Sequence, residues 1–532
     1  MPSTPVNTAT HTVLPADSNQ ALGIGQYAVG FMHGKKADRG DPGKAVIERT
    51  NMFHVDAVIC GLSALALGTN APSVLRQEAL RYHTPTGGYG TLAGPGGSIR
   101  LGVPVFGSKV DVFAEKAILA NSAAVREWDS NGTNFGYNPK LGHTAGEFGH
   151  NDFYPVAIAA AQLAGKDGEF ALRGMIMLDE IRGRLAEVFS LKSYKIDHVL
   201  HGAIASAATY GAMLGATAEQ IEHAIGMVVA HHVPFRAIRA GKQLSDSKGS
   251  SAAISTEAAI VCMQRAMNGF IGPKDIFRNP EAVFCLFEKP AVKGRSPFEL
   301  VLARSGDDFA VMGMHFKLGL YEHQSAGAIQ ALLDLLHKNP GLMEKGDGSR
   351  IMSIKIVAYE PAFGIIGDPA KRDPRTRQSA DHSMVYIIAT LLRKALQHKT
   401  CDWATLMLSP YDFNNEALFD TLTRRLMEKF TFEHGGRDYD NAYPEGIPTS
   451  MVITDDVGAA HDSGLVMFPT GHARNTKADL KALLHHKFSL LGALAVNDSA
   501  SIIKRFDRLE RKTTEEIAHL HDFEILSRGK FE

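Results

Sequence analysis

The segment His198-Val-Leu-His-Gly-Ala-Ile-Ala-Ser-Ala-Ala-Thr-Tyr-Gly-Ala-Met-Leu214 decides the fold of this chain. Its apolar residues recur at helical spacing, and it is rich in Ala, Gly and Ser. Small side chains let neighbouring helices approach closely, so this pattern predicts a buried helix in a tightly packed helical core. Residues 110–126 and 252–266 repeat the pattern and are predicted to be helices of the same core.

After about residue 318 the pattern changes to a mixture of helices and strands. A predicted helix over residues 324–337 ends at Asn339-Pro340-Gly341, and apolar alternation over 351–359 predicts a strand. A further helix is predicted over 379–396, with strands at 451–454 and 464–468 and closing helices from about residue 477. The sequence therefore predicts a mainly α fold with a second, α+β unit.

Length and charge restrict the class of protein. The 532 residues exceed the usual size of one domain, so two domains with separate cores are expected. The chain has 56 basic and 57 acidic residues without a long basic run, so no nucleic acid and no membrane surface is expected as a partner. No apolar run reaches the length of a membrane span. Any anionic ligand must therefore meet a local cluster of cations.

The cysteines and the first residues bear on the compartment. Cys60, Cys262, Cys285 and Cys401 are isolated, which predicts neither a disulfide framework nor an iron–sulfur cluster and suits a reducing cytosol. The first 34 residues lack Lys and Arg, so a secretory or transit peptide is not expected. Residues 1 to about 20 are rich in Thr, Pro and Ser and are predicted to form a disordered tail. We predict a cytoplasmic protein.

One pair of titratable residues is the first candidate for chemistry. His150 follows Asp129 by 21 residues and precedes a helix-like run at residues 156–164. A histidine near a helix start is more often a cap or a packing residue, but it can also transfer protons near neutral pH. The catalytic interpretation gains weight because further titratable residues recur along the chain, namely Asp197, His198, Lys248, Lys317 and His323.

A group of cations points to an anionic ligand. Arg236, Arg239 and Lys248 lie within 13 residues, in a loop rich in Gly and Ser that leads into the predicted helix at residue 252. Charge alone would favour a solvated basic loop, whereas free backbone N–H groups at a helix start together with cations suit a carboxylate. Lys317 and His323 flank the predicted domain junction, a frequent place for a ligand cleft. No grouping of Cys or His has the spacing of a metal site, so no metal is predicted.

Several short motifs, in this order, resemble the MmgE/PrpD family. They are Asp129-Ser-Asn-Gly-Thr133, Gly149-His150, Asp197-His198-Val199, Arg236-x-x-Arg239, Lys248, Phe316-Lys317, His323-Gln324-Ser325, Ala380-Asp-His-Ser383 and Pro469-x-Gly471-His472-Ala473-Arg474. The resemblance covers roughly residues 105–490, and the shared order makes it specific although each motif is not. It implies a mostly helical domain with an inserted α+β lid domain, no metal or organic cofactor, and a homodimer.

The resemblance also sets the expected domain boundaries. Residues 1–45 are predicted to be the disordered tail and a variable N-terminal segment, and residues 46–318 the first part of the large helical domain. The α+β lid domain is predicted over residues 319–470, and C-terminal helices over residues 471–532 complete the helical domain.

Position by position, the resemblance places a set of residues in the family's active site: Asp129, Thr133, His150, His198, Lys248, Lys317 and His323. The run Gly249-Ser250-Ser251 resembles the dehydratase branch of the family more than its decarboxylase branch. Three departures from the family's pattern leave the identity of the substrate undetermined. They are a poor match before about residue 100, an extra loop over residues 134–148 and a short approach to His323.

The implied reaction is dehydration of a small hydroxy tricarboxylate such as 2-methylcitrate. Such a reaction needs a base, an acid and cations that stabilise an enediolate-like charge. His150 and His198 are the expected acid/base pair, without an assignment of which is the base. Asp129 is expected to orient or tune one imidazole, and His323 to approach from the lid side. The expected substrate-binding residues are Thr133, Arg236, Arg239, Lys248 and Lys317.

Two alternatives remain at the level of the sequence. A cis-aconitate-type decarboxylase or an epimerase of a related polycarboxylate would use the same cations and proton transfers. A catalytically silent member that binds a small acid or acts as a scaffold belongs to another class. The presence of all the expected titratable residues argues against the silent alternative.

Overall fold

The computed structural model describes residues 6–35, 38–84, 89–91, 98–239 and 244–531, with the backbone alone given for residues 89–91 and 98–99. Within these residues the fold is mainly helical and contains several small sheets, which confirms the predicted mainly α class. All four cysteines are free thiols, as their isolated positions predict.

The first part of the chain, before residue 300, contains most of the long helices, and the second part begins at residue 300. These are α1 (Gln20–His33), α2 (Lys44–Ala66), α3 (Asn70–Leu80), α4 (Ala114–Arg126), α5 (Tyr154–Leu163), α6 (Gly168–Val188), α7 (Val199–Met213), α8 (Ala218–His231), α9 (Asp246–Met267) and α10 (Val283–Phe287). The strands of this part are β1 (Val6–Asn7), β2 (His11–Leu14), β3 (Asp41–Pro42), β4 (Tyr89–Thr91), β5 (Ser98–Arg100), β6 (Gly102–Pro104), β7 (Asp111–Phe113), β8 (Thr133–Phe135) and β9 (Phe148–His150).

The second part combines helices with a larger sheet. Its helices are α11 (Ala326–Lys338), α12 (Arg377–Ala380), α13 (Met384–His398), α14 (Trp403–Leu406), α15 (Asn415–Leu418), α16 (Thr421–Met427), α17 (Gly436–Ala442), α18 (Leu480–Ala495), α19 (Ser499–Phe506) and α20 (Thr514–Ala518). Its strands are β10 (Leu300–Ala303), β11 (Ser305–Gly306), β12 (Ile351–Ala358), β13 (Phe430–His434), β14 (Thr449–Asp455) and β15 (Ala460–Asp462).

The helix predicted from residues 198–214 is confirmed as α7 and lies at the centre of the helical core. Every residue of α7 is buried, and the helix packs against α6, α8 and α9. The small residues permit this close approach: a Cβ at Gly202 would lie 2.0 Å from Cζ of Phe153, and one at Gly211 would lie 2.4 Å from Sδ of Met263. Larger residues at these two positions would therefore force the helices apart.

The sheet of the second part has the strand order β13-β12-β14-β15. β12 runs parallel to β13 and antiparallel to β14, and α11 packs on β14. The helix predicted over 324–337 and the strand predicted over 351–359 are thus confirmed as α11 and β12. The helix predicted over 379–396 is interrupted, because α12 ends at Ala380 and Ser383 caps the start of α13.

Two predictions from the sequence are wrong. Residues 464–468 are not a strand and form only an isolated bridge between Val466 and Thr449, since Gly464 has a φ of 70° that breaks the extended backbone. The predicted tail is ordered from residue 6 onward, because β2 pairs antiparallel with β10 and buries Leu14 completely. Residues 1–5 of that tail lie outside the described residues.

The closing helices pack back onto the first helices of the chain. α18 packs against α2, and α19 packs against both. In the residues that the structure describes, no single helix is long and apolar enough to cross a membrane; α2 and α3 satisfy the length and composition test only as a pair bent by 90°.

Candidate active site

A cleft with about 630 Å³ of empty space lies where the first and second parts of the chain meet. Its wall contains residues from both parts: Arg126, Asp129, Thr133, Phe135, Phe148, His150, His198, Arg236, Arg239, Leu244 and Lys248 from the first, and Glu322, Gln324, Ile365, Lys371 and His382 from the second. Most of the predicted site residues therefore lie together in one cleft.

A hairpin places Thr133 opposite His150. β8 and β9 pair antiparallel with Thr133 aligned to His150, and the Thr133 hydroxyl donates to the carbonyl of Gly149 at 2.9 Å. The extra loop over residues 134–148 is the turn of this hairpin, so it brings the two predicted residues together. The backbone of Thr133 also exchanges two hydrogen bonds with His315, which fixes the hairpin to the second part of the chain.

Asp129 is the centre of a cluster of cations. Its Oδ1 accepts hydrogen bonds from Arg126 and Lys317, and its Oδ2 accepts one from Lys248 at 2.9 Å and lies 3.0 Å from Nε2 of His382. Burial by itself would raise the pKa of Asp129. The charges of Arg126, Lys248 and Lys317 outweigh burial and hold that pKa well below 3.8, so the carboxylate is an anion.

A lysine from α18 holds the backbone around this cluster in place. Lys487 Nζ donates to Asp56 Oδ1 at 2.6 Å, to the carbonyl of Ser130 at 2.6 Å and to the carbonyl of Lys317 at 2.8 Å. The closing helix therefore fixes the backbone on both sides of the Asp129–Lys317 pair. Asp129 itself has a φ of 50°, a left-handed conformation that Asp adopts more readily than most residues.

His150 and His198 lie side by side in the cleft wall with ring centroids 5.2 Å apart. Nε2 of His150 lies 3.3 Å from Nη2 of Arg126, and a guanidinium can only donate, so this nitrogen accepts and the proton resides on Nδ1. His198 precedes α7, and its Nδ1 lies 3.4 Å from Oδ1 of Asp197. Burial, reinforced by nearby cations, lowers the pKa of both imidazoles well below 6.5. Both are therefore neutral at neutral pH.

Asp129 was expected to orient or tune one imidazole of the His150–His198 pair. Within the described part of the chain it makes no hydrogen bond to His150 or His198, and it reaches His150 through Arg126. The carboxylate beside an imidazole of this pair is Asp197, next to His198. The imidazole beside Asp129 is that of His382, at 3.0 Å.

The two predicted arginines differ in their partners. Arg239 is bound by both carboxylate oxygens of Asp197, with Nη2 at 3.1 Å from Oδ1. The guanidinium of Arg236 makes no hydrogen bond to any residue that the structure describes, and its Nη1 is buried. Arg239 therefore already has an anionic partner, whereas Arg236 is available to one.

Two predicted residues lie behind the cleft wall. Lys317 is fully buried and donates to the carbonyl of Asp129 at 2.6 Å as well as to its carboxylate. His323 stacks on His315 with ring centroids 5.1 Å apart and lies against Phe135, which itself lines the cleft. Neither residue is part of the wall of the cleft.

Sequence reasoning missed several residues of the site. Arg126 lies one turn before Asp129, and His382 lies in the motif Ala380-Asp-His-Ser383 without having been given a role. His382 Nδ1 binds Asp381 and lies 3.3 Å from Nζ of Lys248. Only the fold shows these contacts, because the second part of the chain brings His382 to Asp129 from far along the sequence.

Glu322 and Lys371 were also missed. Glu322 Oε2 accepts a hydrogen bond from the backbone of Gln324 at 2.8 Å, and burial raises the pKa of Glu322 above 4.5. Burial lowers the pKa of Lys371 below 10.5. Neither residue belongs to the motifs quoted from the sequence, and only the fold places both in the cleft wall.

The described residues contain no group of three or more His, Cys, Asp or Glu side chains arranged to hold a metal ion. The cleft instead combines two neutral imidazoles with several cations, an arrangement suited to binding a small anion and transferring a proton. Fold and site together define a mainly helical protein with a cation-rich cleft.

Comparison with known protein families identifies the family to which this mainly helical protein belongs. The MmgE/PrpD N-terminal domain matches residues 30–293, and the MmgE/PrpD C-terminal domain matches residues 321–510. The chain belongs to the MmgE/PrpD family, which confirms the resemblance found in its motifs.

Similar proteins of known name are dehydratases. Alkylcitrate dehydratase phiI of Fungal sp. (strain ATCC 74256) is 25% identical over 354 residues, which cover 66% of each chain. The 2-methylcitrate dehydratase of Escherichia coli O157:H7 is 24% identical over 423 residues, or 76% of this chain and 81% of that protein. A mitochondrial 2-methylcitrate dehydratase of Yarrowia lipolytica is 26% identical over 320 residues, or 59% of this chain and 57% of that protein.

Proposed function

We propose that this protein is a hydro-lyase that eliminates water from a small hydroxy tricarboxylate such as 2-methylcitrate. The observation that carries the proposal is the pair of neutral imidazoles, His150 and His198, 5.2 Å apart in a cleft lined by cations. The names of the relatives support the same class of reaction. Elimination needs a base for the proton α to a carboxylate and an acid for the leaving hydroxyl.

The imidazole pair can supply both roles once the substrate is bound. In the free protein burial, reinforced by nearby cations, lowers the pKa of both His150 and His198, so both imidazoles are neutral. A polyanionic substrate neutralises the surrounding cations and favours protonation of one imidazole, because an opposite charge nearby raises the pKa of a histidine. One histidine then accepts the carbon-bound proton, and the other donates a proton to the hydroxyl as it leaves as water.

The cations of the cleft stabilise the charge that develops on the substrate. Removal of the proton places negative charge on the carboxylate next to the reacting carbon, and Lys248 lies in the cleft wall to bind it. Asp129 holds Lys248 in place at 2.9 Å. Asp129 thus acts as a positioning residue rather than as the base.

The proposal includes a lid. Residues 319–470 contribute Glu322, Gln324, Ile365, Lys371 and His382 to the cleft wall, so a movement of this segment would open the cleft to substrate. Assembly as a homodimer remains a prediction from the family.

The direct test is to incubate the purified protein with 2-methylcitrate, citrate and cis-aconitate. Absorbance of an unsaturated product together with release of carbon dioxide separates the possible reactions. Unsaturated product from a hydroxy acid without carbon dioxide supports the dehydratase. Carbon dioxide from cis-aconitate would instead establish the decarboxylase, and binding without turnover would establish the silent member.

The pH profile of kcat/KM is expected to have an alkaline limb near pH 8. Burial lowers the pKa of Lys248 to about 8 against the opposing charge of Asp129, so Lys248 is a cation below this pH and neutral above it. Lys248→Arg keeps a charge at all these pH values and should move the limb upward. No acid limb is expected near 6.5, because burial lowers the pKa of His150 and His198 well below it.

The control for this profile is the exposed Lys338, whose replacement by Arg should leave the limb in place. A wild-type profile that is flat between about pH 7 and 9, or a limb that stays near 8 in Lys248→Arg, would show that Lys248 does not control the activity.

A further inference from the structure

Two cations in the cleft wall make no ion pair with a carboxylate of the described residues. Arg236 lies between α8 and α9, and Lys371 lies in the second part of the chain, between β12 and α12. Neither side chain makes a hydrogen bond or an ion pair with the residues that the structure describes. Burial is the largest cause of the lowered pKa of both groups. Glu322 and Asp368 oppose this effect at Lys371, and the charge of Arg236 adds to it. Both cations line the same cleft.

The cations deeper in the cleft are in the opposite situation. Arg126 and Lys317 share Oδ1 of Asp129, and Lys248 binds Oδ2 of the same carboxylate. This inner group is held by a resident anion, whereas neither Arg236 nor Lys371 makes an ion pair with a carboxylate of the described residues. Partly desolvated cations without a partner are unfavourable, and an anionic ligand that binds between them removes this cost.

Glu322 is the carboxyl group of the cleft wall whose charge acts on Lys371. It forms no ion pair with Lys371 among the described residues, and its Oε2 is occupied by the backbone N–H of Gln324. The charge of Asp368 also raises the pKa of Lys371, again without an ion pair among the described residues. Glu322 therefore does not take the place of the missing anion.

We propose that Arg236 and Lys371 form an outer carboxylate subsite, which binds the substrate carboxylate that lies away from the reacting carbon. The subsite selects tricarboxylates over dicarboxylates. Arg236 binds the two carboxylate oxygens through its planar guanidinium, and Lys371 adds a point charge from the other part of the chain. The bound carboxylate thereby bridges the two parts of the chain across the cleft. This inference rests on the proposed function for the identity of the ligand.

Binding of two probes tests the subsite without turnover. Citrate has three carboxylates, and citramalate has a methyl group where citrate has one carboxymethyl arm. Calorimetry on the wild-type protein should show citrate binding about tenfold or more tightly than citramalate. Lys371→Met should weaken citrate about tenfold and change citramalate less than about twofold. Arg236→Gln should give the same pattern, and Lys371→Arg should retain most of the preference for citrate.

Two controls make the result specific. Lys338→Met, which removes an exposed lysine of α11 in the second part of the chain, should leave both affinities unchanged. Lys248→Ala should weaken both probes, because Lys248 belongs to the inner group.

The proposal is overturned if Lys371→Met weakens citrate and citramalate equally, or leaves both unchanged, or if the wild-type protein does not prefer citrate. Failure of the proposed function is a different result, in which the wild-type protein binds neither probe and dehydrates no hydroxy acid. Normal circular dichroism of each variant establishes that its fold is intact.

Discussion

Asp129→Asn is expected to destabilise the folded protein by about 3–5 kcal/mol, because it removes the carboxylate that three buried cations share. Arg126, Lys248 and Lys317 all donate to Asp129. Lys317 is fully buried and Lys248 is 4% exposed, so neither can turn its charge into water. The asparagine keeps the shape of the side chain, and the loss therefore reports on charge. Urea denaturation of both proteins gives the difference in unfolding free energy.

The pH dependence of this difference follows from the depressed pKa of Asp129. The pKa lies well below 3.8 in the folded protein, so the contribution of Asp129 is fully present above the unfolded value and disappears as the pH falls through the folded one. The stability gap between wild type and Asp129→Asn should therefore be largest near about pH 5 and shrink in stronger acid. It should also shrink towards about pH 8, because Lys248, whose charge Asp129 compensates, has a pKa of about 8.

A matched control and a second-site change separate charge from general damage. Asp373→Ala removes an exposed carboxylate that pairs with Arg375 and Arg424, and it should cost less than about 1 kcal/mol. Adding Lys317→Met to Asp129→Asn removes one uncompensated charge and should restore part of the loss. A cost below about 1 kcal/mol for Asp129→Asn would mean that water or another anion already compensates the cations.

The sequence could predict the helical core because its signal is local. The Ala, Gly and Ser content of residues 198–214 indicates close packing without knowledge of the neighbours, and α7 is buried along its whole length. The same holds for β12, whose alternation is visible in eight residues. That residues 11–14 form the ordered strand β2 could not be predicted in this way, since the partner strand β10 lies at residues 300–303. A short strand with a distant partner has no signature in its own composition.

The same distinction between local and distant signals separates the site residues that the sequence predicts from those that it does not. Asp129, His150 and His198 were found through motifs and lie in one cleft. His382 was missed because its approach to Asp129, at 3.0 Å, joins segments that are distant in sequence. Arg126 lies one turn before Asp129, but its approach to His150, at 3.3 Å, joins separate segments as well. The domain boundaries and the individual catalytic roles stay predictions, because they depend on movement and on a bound substrate.

His150→Ala and His198→Ala are each expected to lower kcat by about a hundredfold or more, the usual contribution of a general acid or base. Both imidazoles are nearly buried, lie 5.2 Å apart and have pKa values well below 6.5, so both are neutral in the free protein. The control is His231→Ala at the exposed end of α8, which should keep near-normal turnover. Unchanged melting temperatures would exclude loss of folding as the cause.

Isotope exchange in deuterium oxide can assign the two roles. The residue that accepts the carbon-bound proton also catalyses exchange of that proton with solvent, whereas the residue that protonates the leaving hydroxyl is not required for exchange. One alanine variant should therefore lose exchange together with turnover, and the other should lose turnover and retain exchange. His198 lies beside Asp197, which stabilises an imidazolium, while His150 lies beside the cation Arg126, which opposes one. We therefore expect His198→Ala to be the variant that loses exchange; retention of exchange in His198→Ala, or turnover within about threefold of wild type in either variant, would refute this assignment.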